Sequence, residues 1–168
     1  MRKGIGFLAL LFTLAAPLIA QGPGQGQVAR MNMGLNVQIQ PLIGGGQFCV
    51  DVHNFSTQDG AQVYIYHCTG QENQRWTITS STNDQHAIIG IGGMCLDVRG
   101  QHSRSNGTPV QLWQCHFGPN QRFHFSPDGR VREVSSGKCL IAVAPRDGAP
   151  LVLDDCKNTP DEIFAISH

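Results

Sequence analysis

Hydrophobic residues occur along the chain in short runs that are separated by clusters of Gly, Asn, Ser and Pro. Beyond residue 36, no stretch places its apolar residues at the three- and four-residue spacing of an amphipathic helix. Short runs of β-branched, aromatic and aliphatic residues between turn residues are typical of a barrel or sandwich. The pattern therefore predicts an all-β domain. Its twelve expected strands are residues 37–43, 48–52, 62–67, 76–79, 87–91, 95–98, 110–113, 123–125, 131–134, 139–143, 151–153 and 164–166.

The chain repeats itself three times after residue 37. Each unit contains two cysteines, and the second ones are Cys68, Cys115 and Cys156. Six positions after each of these comes Gln or Glu, and two positions further comes a large aromatic residue. Each unit holds about four expected strands, and three units are too few for a propeller. The repeat therefore predicts one barrel with threefold pseudosymmetry in which the three aromatic residues meet as a core layer. The equivalent residues are Gln74, Gln121 and Glu162, followed by Trp76, Phe123 and Phe164.

The chain contains six cysteines. In an exported chain this number is typical of three disulfides, although six cysteines allow fifteen pairings. The repeat favours one bond inside each unit, worth about 3 kcal/mol for a loop of roughly twenty residues. The scattered histidines and cysteines offer no closely spaced ligand pair, so we expect no metal and no cofactor. The favoured disulfides join Cys49 to Cys68, Cys95 to Cys115 and Cys139 to Cys156.

The first 36 residues differ in composition from the rest. Arg2 and Lys3 precede an uncharged apolar run at residues 4–20, which is typical of a secretory signal peptide. An uncleaved membrane anchor is the alternative, because the run approaches the length that spans a bilayer. The Gly- and Gln-rich segment that follows predicts a flexible linker. We expect a signal peptide at 1–20, a linker at 21–36, and one domain at 37–168 with lobes at about 37–82, 83–128 and 129–168.

The charge balance excludes some functions. Twelve Lys and Arg match twelve Asp and Glu overall, and residues 21–168 alone carry a net charge of −2. A nucleic-acid-binding domain needs a basic surface that this composition does not supply. Nucleophile-turn and phosphate-loop motifs are absent from the sequence, so we assign no catalytic residue and expect no enzyme. The expected protein is a secreted monomer, extracellular or periplasmic, without a membrane span in the mature chain.

Two units share further motifs, and the third keeps their frame. These motifs closely resemble ricin-B-type lectin repeats, with their glutamine-x-tryptophan signature. The resemblance covers roughly residues 37–168. It implies a β-trefoil of three four-stranded repeats that binds galactose-, xylose- or related sugar-containing glycans. The motifs are CVDV, YHC and NQRW at 49–52, 66–68 and 73–76; CLDV, QLWQC and NQRF at 95–98, 111–115 and 120–123; and CLI, LDDC and DEIF at 139–141, 153–156 and 161–164.

The second unit contains the side chains that a sugar site needs. A sugar presents hydroxyl groups on its edges and C–H bonds on one face, so its site needs an acceptor, an amide and a flat apolar ring. We expect Asp97 to accept hydrogen bonds from two neighbouring hydroxyls and Trp113 to stack on the C–H face. Asn120 would fix the hydroxyl pattern, with Gln111 beside it. The family resemblance implies that Gln121 orients Asp97.

The first unit offers a similar set, with Asp51, Tyr66, Asn73 and Gln74 in the matching places. Tyr64 stands where the second unit has glutamine, which predicts a working site with a different preference. Taken singly, each aspartate is more typical of a turn cap, and each aromatic of a half-buried residue. The coincidence of acceptor, aromatic and Asn in two units favours sugar binding.

The third unit lacks these groups. Ile141 replaces the aspartate, Asp154 replaces the aromatic residue, and Asp161 and Glu162 replace Asn and Gln. We expect this unit to be structural, with carboxylates that repel or raise one another's pKa. The sequence thus predicts a non-catalytic lectin that binds through its first two lobes. The alternatives are a β-trefoil that binds or inhibits proteins without binding sugar, and an enzyme whose residues form no known motif.

Overall fold

In the computed structural model, residues 34–79, 83–100 and 105–168 are described. The expected signal peptide and residues 21–33 of the expected linker lie outside them. The described residues contain twelve strands and no α-helix. The strands are β1 (Gln38–Pro41), β2 (Phe48–Val52), β3 (Ala61–His67), β4 (Thr77–Ile78), β5 (Ile88–Ile89), β6 (Cys95–Val98), β7 (Thr108–Trp113), β8 (Phe123–Phe125), β9 (Val131–Glu133), β10 (Cys139–Ala142), β11 (Ala149–Asp154) and β12 (Phe164–Ser167).

Every expected strand is present, and β2, β6 and β8 have the expected bounds. The clearest differences are in β4 and β5, which shorten to two residues each. Trp76 pairs with Val37 only as an isolated bridge, and Gly90 precedes a 3₁₀ turn that ends β5. The sequence analysis missed the 3₁₀ turns. Those in the described residues are Ile43–Gly46, His53–Phe55, Glu72–Gln74, Ile91–Gly93, Pro119–Gln121 and Pro160–Glu162.

The strand pairing has threefold pseudosymmetry. In each repeat the second and third strands form an antiparallel hairpin: β2 with β3, β6 with β7 and β10 with β11. The third strands β3, β7 and β11 also pair with one another. The fourth strand of each repeat pairs with the first strand of the next, and β12 returns to β1. This closed arrangement of three four-stranded repeats is a β-trefoil.

The three repeat-equivalent aromatic residues lie in one hydrophobic core, as predicted. Trp76, Phe123 and Phe164 are at most 2% exposed. The indole Nε1 of Trp76 donates to the Val50 carbonyl oxygen at 3.0 Å, which satisfies its polar group. Gly90 packs against this ring so closely that a Cβ there would lie 2.6 Å from the ring. The core therefore fixes the aromatic positions and the small residue that faces one of them.

Each repeat carries one disulfide, which confirms the local pairing. The bonds join Cys49 to Cys68, Cys95 to Cys115 and Cys139 to Cys156. In every repeat the first cysteine lies in the second strand and its partner follows the third strand. The bond therefore closes the open end of the hairpin that carries most of the candidate site residues. Among the helical turns of the described segments, none is long and apolar enough to span a membrane.

Candidate functional site

The second-lobe site is built around the carboxylate of Asp97, which is 3% exposed. Asp97 lies in β6, and strand register places Gln111 of β7 directly opposite it. The Gln111 side chain donates from Nε2 to Asp97 Oδ1 at 3.0 Å. A carboxylate buried without partners would be costly, so these bonds stabilise its position. The hairpin thus carries the acceptor and its first amide on the same face.

The 3₁₀ turn Pro119–Gln121 supplies two more amides. Asn120 Nδ2 donates to Asp97 Oδ2 at 2.8 Å, and Gln121 Nε2 donates to the same oxygen at 2.9 Å. The Gln121 Oε1 accepts the backbone N–H groups of His116 and Phe117 at 2.9 and 3.0 Å. Gln121 is fully buried. Its geometry is that of a residue that orients the aspartate and the adjoining loop.

A carboxylate has about four lone-pair positions, two on each oxygen. The amides of Gln111, Asn120 and Gln121 take three of those on Asp97. With these bonds intact, Asp97 has room for one further donor. The expected pair of hydroxyl bonds therefore requires one of these three amides to leave the carboxylate.

An open pocket of about 490 Å³ lies over Asp97. Trp113 forms one wall and is 39% exposed, in contrast to the buried Trp76. Arg99, Gly100 and His116 also line the pocket. These three residues were not predicted from the sequence. Arg99 stands two positions after Asp97, as His53 stands two positions after Asp51. This repeated spacing is the sequence signal from which Arg99 could have been selected.

His116 faces Asp97 with its Nε2 at 3.6 Å from Oδ2. Its Nδ1 accepts the backbone N–H of Gly118 at 3.0 Å. An Nδ1 that accepts a hydrogen bond places the proton of a neutral imidazole on Nε2. The ring therefore directs an N–H toward the aspartate at the edge of the pocket.

The first lobe repeats this arrangement around Asp51, which is also 3% exposed. Asn73 Nδ2 donates to Oδ1 at 3.0 Å and Gln74 Nε2 donates to Oδ2 at 2.8 Å. The Gln74 Oε1 accepts the backbone N–H groups of Thr69 and Gly70. Asn73 and Gln74 lie in the 3₁₀ turn Glu72–Gln74. Gln74 thus matches Gln121 in both of its roles.

Tyr64 makes the first-lobe site different. Its register opposite Asp51 is that of Gln111 opposite Asp97, and it interacts with the Asp51 carboxylate. Burial raises the pKa of Asp51 above its usual 3.8, and the hydrogen bonds from Gln74, Asn73 and Tyr64 only partly offset this. Burial and the charge of Asp51 raise the pKa of Tyr64 above 10.0, so its hydroxyl stays protonated near neutral pH.

The first-lobe pocket has a volume of about 460 Å³. Tyr66 is 41% exposed on its wall, and its ring centroid lies 6.3 Å from that of Tyr64. His53, Asn54, Phe55, Thr69 and Gln71 also line it and were not selected from the sequence. The two pockets share no lining residue, and each is lined by a single carboxylate. Neither pocket therefore holds the carboxylate pair of a glycosidase.

The third lobe keeps the frame and replaces the polar set. Ile141 occupies the aspartate position and is buried. Glu162 is fully buried and accepts the backbone N–H groups of Lys157 and Asn158 at 2.7 and 2.6 Å, as the glutamines do in the other lobes. Its remaining partner is Arg130, whose Nε donates at 2.7 Å. Where the aspartate is replaced by Ile141, the residue at the glutamine position has no carboxylate to donate to, and Glu162 accepts from Arg130 instead.

The expectation that carboxylates of this lobe raise one another's pKa is wrong for the shifted groups. Burial acts to raise the pKa of Glu162, but the bonds from Arg130 and the backbone outweigh it and hold this pKa below 4.5. Hydrogen bonds from Asn106 and Lys138 lower the pKa of Asp155 below 3.8. Glu162 and Asp155 thus have their own cation or amide partners, which lower the two pKa values.

Among the described residues, one group of His, Cys, Asp or Glu atoms is compact enough for a metal ion: Cys139, Cys156 and Glu162. The two sulfurs are bonded to each other, so neither offers a thiolate. The chemistry that the described pockets support is hydrogen bonding to a polar ligand and stacking on an aromatic ring.

Comparisons with known proteins agree with this geometry. Nigrin b of Sambucus nigra is 36% identical over 85 residues, which are 51% of this chain and 15% of nigrin b. Beta-galactoside-specific lectin 2 of Viscum album is 37% identical over 82 residues, 47% of this chain and 14% of that protein. The chain thus spans a small part of these relatives. Probable lipoprotein EnvE of Salmonella typhimurium is 29% identical over 121 residues, 67% of each protein.

The solved structure of ThreeFoil, a designed threefold-symmetric protein, superposes with a TM-score of 0.74 at 25% identity. The match covers 79% of this chain and 97% of ThreeFoil. The model of the ricin-type beta-trefoil lectin domain matches residues 84–167, and that of the related domain-like family matches residues 35–113. With its repeats, its closed strand pairing and these matches, the chain belongs to the ricin-type β-trefoil lectin domain family.

Proposed function

We propose that the protein is a secreted, non-catalytic lectin that binds galactose-, xylose- or related sugar-containing glycans through its first two lobes. One observation carries the proposal. In both lobes a buried aspartate is held by side-chain donors, the Asn and Gln amides among them, at the floor of an open pocket with an exposed aromatic wall. The third lobe, which lost the aspartate, has its frame without this set.

Charge at the two sites supports the proposal. Among the described residues, no Lys or Arg nitrogen lies within the 4.0 Å ion-pair distance of Asp51 or Asp97. Their partners are mainly neutral groups, so the negative charge remains available to a hydroxyl donor. The Asn amide donates both of its N–H groups inside the protein, to the aspartate and to the carbonyl of Val52 or Val98, so its Oδ1 is the atom that can accept from a second hydroxyl. Trp113 and Tyr66 offer rings on which the C–H face of a sugar can stack.

Two open pockets on one rigid body suit a multivalent ligand. Individual shallow sites of this kind bind weakly, and a glycan chain or surface that engages both gains through effective concentration. The galactose preference draws on the Viscum album relative, whose name describes it as beta-galactoside-specific. Three disulfides and a relative described as a lipoprotein indicate an extracellular or periplasmic location. Secretion by a signal peptide at residues 1–20 is part of the proposal.

A glycan array tests the function. The wild-type protein is compared with Asp97→Ala, Trp113→Ala and Asp51→Ala, after circular dichroism has shown that each variant is folded. We expect neutral galactose- or xylose-containing glycans to bind, and binding to weaken in each variant and vanish when both aspartates are changed. Retained binding in the double aspartate variant would overturn the mechanism. Absence of any glycan binding by the wild type would favour the protein-binding alternative.

A further inference from the structure

A cation lines the second-lobe pocket and has no role in the site described above. Arg99 follows the strand that carries Asp97 and is exposed. Its Nε donates to Gln111 Oε1 at 3.0 Å, and Gln111 Nε2 donates to Asp97 Oδ1 at 3.0 Å. The glutamine thus joins the guanidinium to the carboxylate through one amide. Among the described residues, Gln111 is the one group that accepts a hydrogen bond from the Arg99 guanidinium.

The positive charge of Arg99 is not neutralised within the described part of the chain. No carboxylate there lies within the 4.0 Å ion-pair distance of its guanidinium. Arg130 differs, because it pairs with Asp128 and with the buried Glu162. Arg99 therefore presents an oriented and uncompensated cation to the pocket.

Arg99 also lines a second pocket, of about 310 Å³, where the three lobes meet. Its walls include Tyr64 of the first lobe and Pro150 and Leu151 of the third, and none of its lining residues is acidic. We call this space the central pocket. Because Arg99 lines both, it marks the boundary between the central pocket and the sugar pocket over Asp97.

The equivalent positions in the other lobes follow the same division. His53 lies two residues after Asp51 and lines the first-lobe pocket. Val143 lies two residues after Ile141 and is exposed. A basic or imidazole side chain thus accompanies the aspartate in the two polar lobes, and an aliphatic residue stands in the lobe without one.

We propose that Arg99 determines specificity by binding the carboxylate of an acidic sugar in the central pocket, next to the sugar unit held by Asp97. This inference rests on the proposed function. Gln111 takes the Nε–H of Arg99, and the N–H groups on the two Nη atoms can bind a carboxylate through two parallel hydrogen bonds. Asp97 would repel an anion at its own position, so the two charges fix the direction in which the glycan lies.

Three galactose-containing disaccharides with one linkage test the proposal: the second unit is glucose, glucuronic acid or 6-sulfated glucose. Affinities of the full protein are measured by calorimetry. One well-placed charged hydrogen-bond pair predicts at least about tenfold tighter binding of the glucuronic acid form than of the glucose form. The preference falls at high salt, because Arg99 is exposed.

Arg99→Gln should abolish the preference, so that the ratio of the acidic to the neutral affinity falls to about one. Arg99→Lys should keep part of it, because lysine retains the charge without the fork. Arg146→Gln is the matched control: Arg146 is exposed, lines neither pocket, and its loss changes net charge equally. It should leave the preference intact.

Three results would overturn the inference. Equal wild-type affinity for the neutral and acidic forms would remove the acidic subsite while the proposed function stands. An equal loss of both affinities in Arg99→Gln would show that Arg99 only positions Gln111. Tighter binding of the sulfated form than of the carboxylate would assign the subsite to sulfate. Failure to bind any of the three, including the neutral disaccharide, would instead count against the proposed function.

Discussion

The change Gln121→Glu tests the structural role of the repeated glutamine. In the native site, Gln121 Nε2 donates to Asp97 Oδ2 at 2.9 Å and to the Gln114 carbonyl oxygen at 3.0 Å. Glutamate keeps the oxygen that accepts two backbone N–H groups. It replaces the donor by a second negative charge beside a carboxylate that is 3% exposed. The variant thus preserves shape and loop contacts and inverts one interaction.

The expected cost follows from that geometry. Two unit charges about 4 Å apart repel by about 4 kcal/mol at an effective dielectric constant of 20. The lost bond to the Gln114 carbonyl adds about 1 kcal/mol. Coupled carboxylates share a proton, so at least one pKa of the pair rises in the folded state. The repulsive part is therefore present near neutral pH and disappears as pH falls below about 4, leaving about 1 kcal/mol.

Urea unfolding at pH 7 and pH 4 measures this cost, with the disulfides intact. Gln114→Glu is the control, because Gln114 is exposed and the same change there should shift stability by less than about 0.5 kcal/mol. The double variant Gln121→Glu/Asp97→Ile removes the repulsion but lacks the Arg130 partner that Glu162 has in the third lobe, so it should recover only part of the loss. An equal loss at both pH values would refute the electrostatic reasoning.

Three further predictions concern other parts of the molecule. In the variant Trp113→Ala the first lobe carries the glycan binding. Its affinity should fall on acidification while the pH is still above 3.8, because burial raises the pKa of Asp51 and protonation removes the acceptor. Calorimetry between pH 7 and pH 4 measures this fall. Glu162→Gln should flatten the acid side of the profile of stability against pH. The pKa of Glu162 is below 4.5, so its contribution to stability is present above that value and is lost as the pH falls. Urea unfolding from pH 7 to pH 3 measures the profile, and a slope equal to that of the wild type would contradict this prediction. Removing the third-lobe disulfide by Cys139→Ala/Cys156→Ala should cost about 3 kcal/mol in urea unfolding and leave glycan affinity unchanged; reduced affinity would place this lobe in the binding site.

Much of the fold could be predicted from the sequence because its signals are local and occur three times. The repeated cysteines and aromatics set the register of the lobes, and β2, β6 and β8 begin and end where apolar runs meet turn residues. The 3₁₀ turns that carry Asn73 and Asn120 were missed, although Pro119 at the start of one is a typical first residue. The side chains of these turns form hydrogen bonds with residues outside the turns, such as Asp51 and Asp97. Hydrophobic periodicity does not reveal such bonds.

The candidate site could be predicted only in part. Asp97 and its amides belong to repeated motifs, and the structure brings them together. Arg99 and His116 belong to none of the repeated motifs, and only the structure shows that both line the pocket. The contact between Arg130 and Glu162 joins residues 32 positions apart. The acidic residues that cluster in the third-lobe sequence therefore gave the wrong expectation for the pKa values of Glu162 and Asp155.

The most direct measurement uses the two tryptophans of the chain. In an NMR titration with a galactose- or xylose-containing oligosaccharide, the indole N–H signal of the exposed Trp113 should shift with ligand. That of the buried Trp76, bonded to Val50, should stay in place as an internal reference. In Asp97→Ala the Trp113 shift should disappear. A Trp113 signal that ignores the ligand, or that still shifts without Asp97, would contradict the proposed second-lobe site.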